Sequence, residues 1–296
     1  MFLLLLSTFL VAISVPLAAL LVKDLDPLVF AFFFLLLLIL IQLPFMYRKW
    51  NEIKNLSWKK ELPLLSISGL VATLFYWCEF SSLKVGLPVS HVSFLTLTVP
   101  AWVIFYEYTQ GSGSVWSVNK LIMAILGSII MILPEVGGSF SLGHILPVIT
   151  SFLMAAFLIS SKKSQDAGIS PLVCSFFNDL LAFGGVSLLI LLNGKQQMVS
   201  HLPSNLGGIF LYALVIGLLP GLTMLYGLRK TKLLTAATVI MIEPIVFGII
   251  AVALNADLLG LNFLIGAVLI TLSNMPDNFF YVLRKVRVIY ALNTFK

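Results

Sequence analysis

Runs of about 17–22 mostly apolar residues recur from one end of this 296-residue chain to the other, and no other feature restricts its fold as strongly. A hydrocarbon layer about 30 Å thick is crossed by an α-helix of about 20 residues, because each residue adds ~1.5 Å along the axis. Strands of a membrane barrel would be about half as long and would alternate in polarity. With 60% hydrophobic and 10% charged residues and a mean hydropathy of +1.08, the chain has too little polar surface to cover a water-soluble globule. It reads as an all-α integral membrane protein with ten transmembrane helices, at residues 2–22, 27–47, 62–83, 88–108, 118–133, 142–160, 171–192, 206–225, 233–254 and 260–276. No positive charge precedes the first run and nine more follow, so it is read as a membrane helix and not as a signal peptide. No soluble domain is expected.

The charges orient these spans. With the N-terminus in the cytoplasm, fifteen of the 18 Lys and Arg residues fall in inside segments, and only Lys23, Lys84 and Lys195 fall outside. That asymmetry predicts both termini cytoplasmic. It also explains the net charge of +6 without any call for nucleic acid. The basic tail at Arg284, Lys285 and Arg287 is expected to lie against anionic lipid. Cys78 and Cys174 fall inside spans and read as small buried hydrophobes.

A turn-rich break at Pro134, Gly137 and Gly138 leaves five spans on each side. Five is odd, so the second half is inverted, and loops at equivalent places carry their positive charge in opposite halves. The domains are therefore expected at residues 1–137 and 138–296, the second ending in the basic tail. The halves also match locally: "SSLKVGLPVSHVSFLTLTVPAWVIFYEY" and "LYGLRKTKLLTAATVIMIEPIVFGIIAVAL" each run from a basic turn into a helix with a central proline. Eighteen positions separate Ser82 from Pro100, and eighteen separate Tyr226 from Pro244. Inverted repeats of this kind place a substrate site near the midplane and open it alternately by rocking one half against the other.

These segments and the five-plus-five arrangement resemble the ten-helix EamA-type members of the drug/metabolite transporter superfamily. Gly113 and Asp257 stand where that family often places a Gly-Glu pair beyond each proline. The resemblance implies transport of amino acids, purines, sugars or other organic metabolites, driven by proton or substrate gradients. It also implies that the seventh helix lies outside the central cavity.

Candidate site residues follow from polarity at depth. Glu243 lies about eight residues, or ~12 Å, into the ninth span, where a charge costs about 2.5–3.5 kcal/mol on insertion scales. Pro244 beside it frees the carbonyl of Ile240. The pair reads as a proton-coupling or cation site; the other reading is a protonated carboxyl bonded to a neighbouring helix. Tyr76, Trp77 and Glu79 stand near the outer end of the third span, either as an acidic, aromatic vestibule for a cationic or zwitterionic group or as an aromatic belt with a Glu79–Lys84 pair. His91, Thr98 and Trp102 share one face of the fourth span, and Ser7 and Ser14 one face of the first. Each set reads as cavity lining or as helix packing. Asp179, after Asn178, has only apolar neighbours in sequence and requires a partner on another helix; it is read as structural.

No Walker A loop, HExxH pair or Ser/His/Asp set is found, so neither ATP-driven pumping nor catalysis is expected, and no metal or cofactor. The chain reads as a secondary transporter of a small neutral or zwitterionic organic solute, a monomer or homodimer among membrane lipids, with the bacterial inner membrane as its expected location. A membrane-embedded enzyme or lipid-handling protein is the alternative. Phosphate esters are disfavoured as cargo, because no Lys or Arg lies deep in any span. Cysteines placed at positions 195 and 257 are predicted to react with an impermeant reagent from outside, and those at 54 and 287 only from inside. Labelling of 54 and 195 from one side would overturn the inversion.

Overall fold

The computed structural model describes residues 2–22, 25–57, 59–84, 95, 98–111, 116–132, 145–199, 203–240 and 261–273. Among these the chain is helical and no strand occurs. We number the helices α1 (Phe2–Val22), α2 (Pro27–Arg48), the short α3 (Trp50–Lys54), α4 (Glu61–Lys84), α5 (Val99–Thr109), α6 (Trp116–Ile132), α7 (Leu146–Asp166), α8 (Pro171–Leu192), the short α9 (Gln196–Val199), α10 (Leu206–Arg229), α11 (Leu233–Ile240) and α12 (Leu261–Ser273). Five of them, α2, α4, α7, α8 and α10, are long and apolar enough to cross a membrane, and shorter apolar segments lie in α1, α6 and α12.

The ends follow from local chemistry. Asp26 accepts the N–H of Leu28 at 3.0 Å and Pro27 opens α2 with a φ already suited to the helix. Ser170, with extended backbone, and Pro171 at the first helical position start α8 without a side-chain cap, and Gly194, at φ 65°, turns the chain away at its far end. Gly168, at φ 105°, makes the tight connection from α7 to α8, a backbone conformation that a Cβ would strain. α7 runs six residues beyond the apolar stretch 142–160, carrying Lys162 and Lys163, and Lys162 pairs with Asp166 at 3.0 Å.

The outer surface is apolar as well as the interior. On α4, Ile67, Leu70, Leu74 and Trp77 are exposed, an apolar stripe at helical spacing that suits lipid. The opposite side of α4 buries Ser68, Gly69, Ala72 and Thr73. Small residues there let backbones approach closely. A Cβ on Gly69 would collide with Leu181 of α8, and one on Gly185 of α8 would collide with Thr73. α4 lies against α7 and α8, α1 against α10, α2 against α8, and α6 against α12. In the last pair Gly127 is so close that its Cβ would meet the carbonyl of Gly266 at 2.8 Å. An aromatic cluster of Phe30, Phe34, Phe80 and Tyr212 joins α2, α4 and α10, with Phe30 and Phe80 edge to face at 4.7 Å.

Two polar ties hold the ends of this bundle. Lys195, after α8, pairs with Asp26 at 2.6 Å. At the other end Glu52 of α3 accepts the Ser170 N–H at 2.7 Å and pairs with Lys49 at 3.2 Å. Partial burial alone pushes the Glu52 carboxyl up, but the hydrogen bonds from Ser170 and the Lys49 charge outweigh it and hold the group below its ordinary value of 4.5. A carboxylate at the first turn of α8 also meets the positive end of the helix dipole. Because the folded state lowers this group's proton affinity, its contribution is present above about pH 4.5 and fades as pH falls through the lower folded value. Glu52→Gln is predicted to lose about 0.5–1 kcal/mol at neutral pH in thermal unfolding of the purified protein, with the difference from wild type shrinking below pH 4.5.

Candidate functional site

α1, α2, α4, α7, α8 and α10 enclose a cavity of about 130 Å³. Its wall is mainly aromatic and aliphatic: Phe34 from α2, Phe75, Tyr76 and Phe80 from α4, Met154 and Phe157 from α7, and Tyr212 and Met224 from α10. Tyr76 stacks on Phe80 at 6.0 Å and meets Phe34 edge to face at 5.5 Å, which fixes its ring in the wall. Two carboxyls enter this apolar space, Glu79 from α4 and Asp179 from α8. Glu79 lies five residues from the end of α4 at Lys84 and Asp179 eight residues from the start of α8 at Pro171, so they sit roughly 7 Å and 12 Å from opposite ends of the bundle. Among the described lining residues there is no Lys, Arg or His.

Asp179 finds its partner across the bundle. Gln42 Nε2 of α2 donates to its Oδ2 at 2.6 Å, and both residues are buried. The neighbouring Asn178 donates from Nδ2 to Ser161 Oγ of α7 at 3.4 Å, and Ser161 in turn is 3.4 Å from Ser68 Oγ of α4. This ladder links four helices through side chains that each need a partner in an apolar medium. Glu79 differs: no partner for its carboxyl is seen among the described residues, and Lys84 donates to the Leu25 carbonyl at 2.7 Å, so Lys84 ties α4 to the loop before α2 instead of pairing with Glu79.

α10 shapes the far wall. Its middle, Ala213–Leu218, is a π-turn, and Pro220 follows with no N–H to return to the Ile216 carbonyl. Turns of this kind recur where helices serve a site. Ser7 of α1 donates its hydroxyl to the Pro220 carbonyl at 2.9 Å. Gly217 lies under Phe34 so closely that a Cβ would meet the ring at 2.8 Å, while Gly221, also in the wall, has nothing within 4 Å of where a Cβ would be.

The residues singled out from the sequence separate into groups. Ser7, Tyr76 and Glu79 lie together in the cavity wall. Trp77, one residue and 100° round the helix from Tyr76, is 38% exposed and points away from it. Thr98 and Trp102 do share a face of α5, but that face meets α7: Ser151 Oγ accepts from the Thr98 hydroxyl and, at 3.2 Å, from Trp102 Nε1. Trp102 also borders a separate groove of about 430 Å³ among α4, α5 and α7. His91, the Ser14 side chain, Glu243 and Pro244 lie outside the described residues. The placement implied for the seventh span is corrected, since α8 contributes Ser175, Asn178 and Asp179 to the wall. Sequence reasoning passed over Gln42 and α10. The run Gly217-Leu-Leu-Pro220-Gly221 was the available signal for the second, and a lone amide inside an otherwise apolar span for the first.

A multi-pass helical bundle around a partly polar cavity is the architecture of a membrane carrier. The model of the EamA-like transporter family matches the chain twice, over residues 1–133 and 141–275, and the chain belongs to that family. It is thus an integral multi-pass membrane protein of a transporter family. A solved crystal structure is similar with a TM-score of 0.64 over 92% of this chain and 93% of its own, at 13% identity, a likeness of fold. No curated protein matches. From the wall geometry, Gly217→Val is predicted to force Phe34 out of place and destabilise the protein by about 1–3 kcal/mol, whereas Gly221→Ala should stay within about 0.5 kcal/mol of wild type; thermal unfolding distinguishes them.

Proposed function

We propose that this protein is a secondary transporter that moves a small neutral or zwitterionic organic solute by alternating access. The observation that carries the reading is the cavity: α1, α2 and α4 come from the segment of the first family match, α7, α8 and α10 from the second, and the cavity lies between them. Its aromatic wall with two carboxyls and no described cation suits an uncharged or amine-bearing solute better than a phosphate ester.

The ten spans are proposed to form two inverted five-helix repeats, residues 1–137 and 138–296. Helix pairing supports this. If α1, α2, α4, α5 and α6 are exchanged for α7, α8, α10, α11 and α12, the contact of α1 with α10 becomes that of α7 with α4. The contact of α1 with α11 becomes that of α7 with α5, that of α2 with α10 becomes that of α8 with α4, and the pairs α2 with α8 and α6 with α12 map onto themselves. A two-fold axis through such a bundle gives two equivalent closures of one site, one toward each side. No step of the cycle calls for catalysis or a cofactor. Both termini are placed in the cytoplasm and the protein in a bacterial inner membrane, from the distribution of Lys and Arg.

Glu243, beside Pro244 in the ninth span, is proposed to couple the cycle to protons. A glutamine there keeps a donor and an acceptor at nearly the same volume but carries no exchangeable charge. In proteoliposomes loaded with a panel of labelled metabolites, the wild-type protein should move a solute down an imposed pH gradient. Glu243→Gln should still fold and bind, lose the pH-driven flux and keep solute exchange. Equal pH-driven flux in both proteins would assign Glu243 to the scaffold, and the absence of any solute flux would remove the transporter reading.

A further inference from the structure

We propose that Asn178 and Asp179, with Gln42 positioning the Asp179 carboxylate, form the seat for a primary ammonium group on the transported solute. The inference rests on the transporter reading and specifies what its cavity recognises. It begins with an imbalance of hydrogen-bonding groups. Gln42 is 0% exposed and Asn178 1%, yet no donor among the described residues reaches Gln42 Oε1 or Asn178 Oδ1. Buried amide oxygens nearly always have partners, and one left bare costs free energy. Here the two flank a carboxylate: Asn178 precedes Asp179 on α8, and the amide of Gln42 is bound to Asp179 through its other end at 2.6 Å. The cluster therefore offers three acceptor groups on residues that adjoin or bond one another, with one N–H of Gln42 Nε2 directed to Asp179 and Asn178 Nδ2 directed to Ser161 and Cys174.

The missing partner must bring donors and no acceptors. A primary ammonium presents three N–H groups and no lone pair, and its charge answers the carboxylate. A hydroxylated or carboxylated group would add acceptors to a place that already has too many. Access is through Asn178 and Asp179, which both line the cavity, whereas Gln42 does not line it and acts by holding the Asp179 carboxylate. The rest of the wall fits the same ligand: Tyr76, Phe34 and Tyr212 supply aromatic faces that attract cations and bury an attached apolar body, and no described lining residue is basic. Glu79, nearer the other end of the cavity, is the second acidic group on the route of such a solute.

Phenethylamine provides the probe, with phenethyl alcohol as its uncharged counterpart. Binding is read on the purified full-length protein as a ligand-dependent rise in melting temperature, in choline chloride and again in sodium chloride. Wild type should be stabilised by phenethylamine and not by the alcohol, in both salts. Asp179→Asn should weaken amine binding by at least about tenfold, the scale of a lost charge-assisted hydrogen bond. Gln42→Met, close in volume and without polar hydrogens, should weaken it severalfold while Asp179 remains, and it carries the test if Asp179→Asn does not fold. Equal stabilisation by amine and alcohol, or wild-type amine affinity in both variants, overturns the proposal. So does a loss confined to Glu79→Gln, which would move the ammonium to the other carboxyl. Stabilisation by sodium over choline that disappears in Asp179→Asn, without any amine effect, would make the seat a sodium site and overturn it too. Flux of an uncharged solute without amine binding would remove this inference and leave the transporter standing; amine binding without any flux would do the reverse.

Discussion

The approach of α4 to α8 sets the geometry on which the rest depends. Two glycines, Gly69 and Gly185, stand where any side chain would collide with Leu181 or Thr73, so the helix backbones come together more closely than larger residues permit. In a hydrocarbon medium no hydrophobic force draws helices together, and such contact is the main source of attraction between them. Holding α4 there presents Tyr76 and Glu79 to the same cavity as Asp179, and leaves Trp77 and Leu74 facing outward. Larger residues at either position would separate the two acidic helices and open the wall between them.

Polar satisfaction is the second organising constraint. Most buried hydroxyls here return to a carbonyl one turn back on their own helix, as Thr8, Thr73 and Ser128 do, and so carry no information about tertiary structure. The exceptions are few and informative. Ser7 reaches the Pro220 carbonyl, Gln165 the Leu225 carbonyl at 3.1 Å, and Gln42 the Asp179 carboxylate. The first two end on α10, and so tie α1 and α7 to the helix that carries the proline and the π-turn. A helix interrupted in this way exposes backbone to a cavity without exposing it to lipid, which is the condition for irregular structure at membrane depth.

Much of the element pattern was legible beforehand because membrane thickness dictates it. The span at 171–192 coincides with α8, since Ser170-Pro171 and Asn193-Gly194 are unambiguous start and stop signals. α7 runs past the end of its apolar stretch because Lys and Ser continue a helix as well as they end a hydrophobic run; hydropathy records contact with lipid, and a helix extends beyond it. Helical spacing also put Thr98 and Trp102 on one face. It had no means of saying that Ser151 would stand opposite, and the same two residues that read as cavity lining serve instead to tie α5 to α7.

The sequence by itself determined the all-helical class, the positions of most of the long helices and the need of Asp179 for a partner on another helix. Each follows from a property of single residues or short runs set against a fixed medium. Only the tertiary structure decided which helices enclose the cavity, that α8 is among them, and that the partner is Gln42, 137 positions away in the chain. Hydrophobic helices are interchangeable to the membrane but not to one another: their order around the bundle is chosen by a few small residues that fit and a few polar groups that meet, and neither is visible until both partners are in place.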